Sequence, residues 1–502
     1  MKGVITVDIG TTSLRAILFD AVGEPLYMDQ RQNAPEFFSD GRVEQEPRSW
    51  QQHLVQILAN CREAAAARGI SPQCISVTAQ RSSVFPVDRL GVPLHAAIMW
   101  QDTRSAEMAL ALESSNGLVY GKTGLRISPV FSAIKMTWLR RNRPDIWQHT
   151  HKLIGVQDWA MWLLTGRFVT DESFGSRTNL LDLVTRAWDP ELLDLFEVPR
   201  HMLCDLIAPG AIAGGLSAGI AAATGLPEGL PVVSAGGDQQ CAALGLGLLA
   251  GDQAVTNTGT GSYILGHSSK PVWDAAMRVS CNVSAIPGAY IVEAAVLTSG
   301  AIYRWFKESL LDLKEADSSA FDAINQEAAL VGPGSNGLLL IPHFKGCGSP
   351  YWDPDARGVF LNLSLSTTRG EMARAILEGI AVELKESLAL VEDLCGMIAS
   401  VSVSGGMTKS ALFNQIQSDV FERPVLRLTS DEASSRGAWI AAAVTIGLET
   451  SYASAFRRST GRDEAVMFEP NPVTRPIYQR QRKRSRAVYQ ALAAPEVRDL
   501  FK

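Results

Sequence analysis

Twice in this chain a β-rich run breaks at a glycine and a few hydroxyl residues and then resumes, a repeat that leaves few folds open. In "GVITVDIGTTSLRAILFDAVGEP" (3–25), Val4, Thr6 and Asp8 alternate with Ile5, Val7 and Ile9, Gly-Thr-Thr interrupts, and "RAILFD" continues to a "VGEP" turn. "DQAVTNTGTGSYILGHSSKPV" (252–272) follows the same scheme: strand, Gly-Thr-Gly turn, apolar strand, Pro-bearing turn. Helical patterns alternate with short strands after each copy. "SWQQHLVQILANCREAAAARG" places Leu54, Ile57, Leu58 and Cys61 on one face and ends at Gly69, ahead of the strand "ISVTAQ". In the second half Ile376, Ile380, Leu384, Leu388 and Val391 share a helix face ahead of "IASVSVSGG". Strands alternating with helices in both halves predict an α/β fold. The glycine-rich "GLGLLAGD" (245–252) marks the boundary near 247–252, giving domains at 1–248 and 249–502 that face each other across a cleft, both Gly-Thr turns pointing into it.

A chain of 502 residues with 46% apolar and 20% charged residues has the composition of a soluble globular protein. A formal net charge of -6 argues against nucleic acid as the main partner, because phosphate-backbone binding needs concentrated Lys and Arg. "RQRKRSR" at 480–486 reads as the solvated face of a C-terminal helix, with an anionic partner as the alternative. Seven cysteines without a CxxC pair suit a reducing cytosol, and "MKGVITVDIG" has no apolar core for a signal peptide, so a cytoplasmic location is expected. Residues 206–227 are uncharged but consist mostly of Ala and Gly, so a surface loop leading into a short helix is expected there rather than a membrane span.

"DIGTTSLR" lacks both the P-loop and the dinucleotide pattern. It offers Gly10 for a tight turn, hydroxyls on Thr11, Thr12 and Ser13, and the Arg15 guanidinium, groups that suit phosphate oxygens. An ordinary hairpin is the alternative, and "TGTGS" at 258–262 weighs against it by supplying a second donor loop. In "SGGMTKS" (404–410) the diglycine lets a ring or ribose approach the backbone, or is a plain strand-to-helix turn. Gln80 and Arg81 at one strand end and Trp100, Gln101, Asp102 and Arg104 after another could bind a hydroxylated molecule, with hydrogen bonds for hydroxyls and an indole for C–H. An Arg81–Asp102 salt bridge is the structural alternative. "SAGGDQQ" ends an apolar run in two glycines and an acid, Asp238, with no basic residue nearby in the sequence.

In order along the chain, "DIGTTSLR", "AQR", "WQDTR", "FSAIKMTWL", "GGDQQ", "NTGTGS", "PYWDPDARG", "GVFLNLSLSTTRGEMARAILE" and "SGGMTKS" make it similar to the FGGY carbohydrate kinase family, with glycerol kinases nearest in motifs. The resemblance spans essentially the whole chain. It implies two actin-like, ribonuclease H-like domains flanking an ATP and substrate cleft, and MgATP-dependent phosphorylation of a small sugar or polyol. It places Asp238 as catalytic base; Arg81, Ser82, Trp100, Val130, Gln239 and Tyr263 at the substrate; and Asp8 on Mg2+ through water. Thr11, Thr12, Ser13, Arg15, Gly259 and Thr260 fall at the phosphates, and Gly405, Gly406 and Ser410 toward adenosine.

Three departures stand out. Glycerol kinases carry a glutamate at Ser82 and a tyrosine at Val130, and Asn362 stands where glycine is usual. Losing an acid and a phenol removes polar contacts and makes room, which points to a four- to six-carbon ketose or polyol ahead of glycerol. An actin-like ATPase without a sugar acceptor and a sugar-sensing protein without catalysis are the rival readings. The resemblance also brings with it the homo-oligomers that family members often form.

Overall fold

The computed structural model of the chain describes residues 1–313, 319–429 and 432–501. The first Gly-Thr turn joins β1 (Lys2–Ile9) to β2 (Ser13–Asp20), and β3 (Pro25–Gln32) follows. Helix α1 (Pro47–Ala67) leads to β4 (Ser71–Ala79). After a long insertion come β5 (Ile212–Gly215), β6 (Pro231–Gly237) and the short helix α2 (Asp238–Gly245). The second half repeats the plan with β7 (Gln253–Thr258), β8 (Ser262–Ser268), β9 (Ser280–Val283) and β10 (Tyr290–Val296). It continues through α3 (Arg369–Cys395), β11 (Ser400–Ser404), α4 (Ala411–Phe421), β12 (Val425–Leu428), α5 (Ala433–Thr445), β13 (Ala465–Phe468) and α6 (Arg475–Ala493).

The two sheets have one topology. The first runs β5-β6-β4-β1-β2-β3 and the second β9-β10-β8-β7-β11-β12-β13. In each, an antiparallel three-stranded meander is extended by two parallel strands and closed by an antiparallel edge; β9 is the single addition. The matching hairpins set Asp8 opposite Arg15 and Asn257 opposite Tyr263. The alternation in β1 divides its side chains as the sequence predicts. Ile5, Val7 and Ile9 pack with α1, while Val4 joins a second core on the other face.

That second core unites the halves. It joins Val4, Ile17 and Val233 to Cys241 and Leu244 of α2 and to Ala438–Ala443 of α5. The other face of α2, through Ala242, Ala243 and Leu246, packs on Val255, Leu265 and Ile291 of the second sheet. The two helices therefore cross between the sheets, and only glycine permits their approach. A Cβ on Gly245 would lie 2.0 Å from the Ala433 carbonyl oxygen, and one on Gly437 would lie 1.8 Å from that of Cys241. Helix α3 is fixed by a reciprocal cap, Thr368 Oγ1 accepting from Glu371 N and Glu371 Oε2 accepting from Thr368 N. All five of its predicted face residues are fully buried, each stabilising the fold by roughly 1.5–3 kcal/mol.

Two expectations change. Within 206–227, Ile212–Gly215 is not loop but the edge strand β5, paired with β6, and only Ala218–Thr224 is helical. The basic run lies on α6, yet it is not purely solvated, since Arg482 and Arg486 both turn onto Glu386. Asn362 holds φ +70°, a left-handed position where glycine is the default and Asn is tolerated, and its Nδ2 donates to the Gly337 carbonyl. Among the described residues no helix is long and apolar enough to cross a membrane.

Candidate active site

Strand β6 ends at two glycines because a side chain on Gly237 would collide with Arg81 Cδ and Gln240 Oε1, both 2.5 Å from its Cβ position. The next residue, Asp238, opens α2, where the helix N-terminus favours a carboxylate. Its Oδ1 accepts from Gln239 N at 2.7 Å and from Arg81 Nε at 3.2 Å. Its Oδ2 has no hydrogen-bond partner among the described residues, and the side chain is 32% exposed. Arg81 thus pairs with Asp238, and the alternative Arg81–Asp102 bridge does not form. Asp102 instead holds Arg104 at 2.7 Å and the Val43 backbone N–H.

Asp238 faces a cleft of about 610 Å3 between the halves. Thr11, Arg81, Ser82, Trp100, Val130 and Gln239 line it from one side, and Tyr263 lines it from the other. The Trp100 indole N–H donates to Thr11 Oγ1 at 3.1 Å, and Thr11 lines this cleft beside it. Gln239 Oε1 is buried without a partner among the described residues. Ser82 holds φ +69°, its hydroxyl directed at the Arg177 carbonyl. Lys135, fully buried, donates to the carbonyls of Pro129 and Val130 at 2.6 Å and so pins the turn that presents Val130. Burial pushes its ammonium down to about 7.

Two charged residues that the sequence reading did not single out complete the cleft. Glu293, in the middle of β10, lies 3.4 Å from Arg177 and 3.9 Å from Arg81. Burial, and next the neighbouring Arg81, push the Arg177 guanidinium down to about 10. The available signal was "IVEAAV", a lone acid inside an apolar strand, a residue type rarely buried without a partner. Nothing in "GSRTNL" distinguished Arg177 from a surface arginine.

The remaining residues sit around the two hairpins. Asp8 is buried and receives Arg15 Nη2 at 2.9 Å; Arg15 also reaches Glu432, which precedes α5, at 2.9 Å. Burial raises Asp8 to about 6, with Asp238 adding to the rise and Arg15 opposing it. Thr12 is exposed at its turn, whereas the Ser13 hydroxyl accepts from Gln30. Thr260 is exposed at the second turn, and that turn is braced by Gly300 N donating to the Gly259 carbonyl. Gly405, at φ +96°, abuts the end of β7, where a Cβ would lie 2.5 Å from the Thr258 carbonyl oxygen. Gly406 is exposed beside it, and Ser410 caps α4 by accepting from Phe413 N.

Two sheets of one topology flank a cleft that carries Asp238, Thr11 and Tyr263, and together with the family match this makes the chain an ATP-dependent phosphotransferase with an alcohol acceptor. Residues 3–245 match the N-terminal domain of the FGGY family of carbohydrate kinases and residues 254–446 match its C-terminal domain, and the chain belongs to that family. It is 32% identical to a glycerol kinase from Alkalilimnicola ehrlichii over 98% of both chains. It is 35% identical to one from Citrifermentans bemidjiense, over 90% of this chain and 92% of that one. The crystal structure of a xylulose kinase from Rhodospirillum rubrum superimposes with a TM-score of 0.90 at 27% identity, covering 98% of this chain and 99% of that one.

Proposed function

We propose that this chain transfers the γ-phosphoryl group of MgATP to a hydroxyl, most simply a terminal one, of a four- to six-carbon ketose or polyol, with Asp238 as the base. The observation that carries this reading is the unpartnered Oδ2 of Asp238 in a cleft of about 610 Å3 lined by hydrogen-bonding groups and the Trp100 indole. That volume lies within the roughly 300–1,000 Å3 of small-molecule sites. Arg81 holds Oδ1 and orients the carboxylate, leaving Oδ2 to accept the hydroxyl proton as the O–P bond forms. Phosphoryl transfer passes through a loose transition state, so positioning and charge stabilisation dominate, and base catalysis adds about 10²–10⁴-fold.

The residues fit MgATP. Asp8 is a buried hard oxygen donor at the first hairpin, and Thr258 Oγ1 is buried without a partner among the described residues. Asp8 would hold the ion through water, and the ion would neutralise the phosphate oxygens. Thr12, Arg15, Gly259 and Thr260 would grip the phosphates, and Gly405, Gly406 and Ser410 would border the adenosine. The lobes, 1–248 and 249–502, would close on the substrates and exclude water.

Glycerol is the second reading, supported by the glycerol kinases among the relatives. Coupled ADP release over a panel of glycerol, tetritols, pentitols and ketoses, with a no-acceptor control, decides between them. The proposal expects the highest kcat/KM with a four- to six-carbon acceptor. Highest activity with glycerol would establish the second reading, and ADP release independent of any acceptor would overturn both.

A further inference from the structure

We propose that His343, Cys347 and Glu383 form a site for a zinc-class divalent cation in the wall between the substrate cleft and α3. One ligand atom from each residue lies within 4.8 Å of the others, and all three side chains are buried. His343 Nε2 stands 3.2 Å, and Cys347 Sγ 3.4 Å, from the same oxygen, Glu383 Oε1. Ligands held tetrahedrally at about 2.0–2.3 Å from zinc stand roughly 3.3–3.7 Å apart, so two edges of such a site are already close to length. The imidazole–thiol edge needs at most a small closure.

The chemistry of the three groups points the same way. Among the described residues no lysine or arginine pairs with Glu383, whose one ion-pair contact is His343. A buried carboxylate without a cation is costly, and a divalent ion would neutralise it. His343 Nδ1 is buried without a hydrogen-bond partner among the described residues, so a turn of the ring can present either nitrogen. Thiolate, imidazole and carboxylate together select zinc-like ions over Mg2+, which prefers oxygen alone. Cys347 also lines the cleft, from which water can fill the fourth position.

The ion would fasten one cleft wall to α3. Lys345, Cys347, Trp352 and Pro354 line the cleft from the segment that carries His343, whereas Glu383 belongs to α3. The competing arrangement is a hydrogen-bonded triad in which Glu383 accepts from N–H and S–H without an ion.

Full-length protein stripped with chelator and titrated with Co2+ separates the two. The site predicts one Co2+ per chain, a near-ultraviolet thiolate-to-cobalt band and visible bands of a tetrahedral ion, displaced by Zn2+ but not by excess Mg2+. Cys347→Ser abolishes the thiolate band and His343→Ala lowers affinity at least tenfold, while Cys395→Ser leaves both unchanged. If Cys347→Ser fails to fold, Glu383→Gln, which keeps shape and acceptor, is read instead and loses at least tenfold in affinity with its circular dichroism intact. Absence of stoichiometric Co2+ binding, or a thiolate band that survives Cys347→Ser, overturns the site.

Discussion

In the proposed function Asp8 is a buried carboxylate that couples folding, pH and nucleotide. Its pKa rises from 3.8 to about 6, so between those values the folded protein holds a proton that the unfolded chain has released. Its contribution to stability is therefore fully present below 3.8 and is lost as pH rises to about 6, by roughly 3 kcal/mol for a side chain only 4% exposed. A cation held near Asp8, as proposed, would favour the ionised form, so nucleotide binding would expel the proton. Calorimetry of MgADP binding in two buffers of different ionisation enthalpy should show release of up to about half a proton at pH 6, nearly none at pH 8, and none near pH 6 in Asp8→Asn. Proton uptake, or release unaltered by Asp8→Asn, contradicts this role.

The proposed selectivity also rests on single residues. Ser82 and Val130 both line the cleft, and introducing a carboxylate and a phenol there restores groups suited to a short polyol. Ser82→Glu with Val130→Tyr should raise the glycerol preference, as a ratio of kcat/KM over the best larger acceptor, by at least tenfold. An unchanged ratio removes these positions from selectivity. Asp238 and its neighbours at 81, 100, 239 and 263 were gathered by the order of the family motifs, and the structure brings them to one cleft. Glu293 and Arg177 escaped because their significance is a three-way charge contact with Arg81 across more than a hundred residues, which no local pattern carries.

Among the elements, the crossing helices α2 and α5 hold the most information. Gly437→Ala places a methyl group against the Cys241 backbone, which cannot move without shifting α2 and Asp238 at its start. A loss of about 1–3 kcal/mol or more is expected, read as a lower midpoint in thermal unfolding together with a fall in kcat. An unchanged midpoint would mean that the helices separate easily. The hairpins and α3 were legible from their periods of two and about 3.6 residues. The edge strand β5 was not, because "IAGG" lacks alternation and acquires strand geometry only by pairing with β6. Likewise, the inward turn of Arg482 and Arg486 depends on Glu386, which lies on a distant helix.

For the whole molecule, the duplicated sheet places two similar hairpins on opposite sides of one cleft, while cores shared through α2 and α5 join the halves at its base. The Arg15–Glu432 pair spans from the first hairpin to the residue before α5. In the proposed reaction nucleotide and acceptor approach from different lobes and meet at Asp238. The central claim is that this meeting is acceptor-dependent phosphoryl transfer with Asp238 as the base. Its most direct test is the rate of ADP formation by wild type and Asp238→Asn, with and without the best acceptor, alongside acceptor binding measured by tryptophan fluorescence. The account predicts ADP formation that depends on the acceptor in wild type and falls at least a hundredfold in Asp238→Asn, with acceptor binding retained. A variant that keeps more than a tenth of wild-type activity while binding acceptor would contradict it.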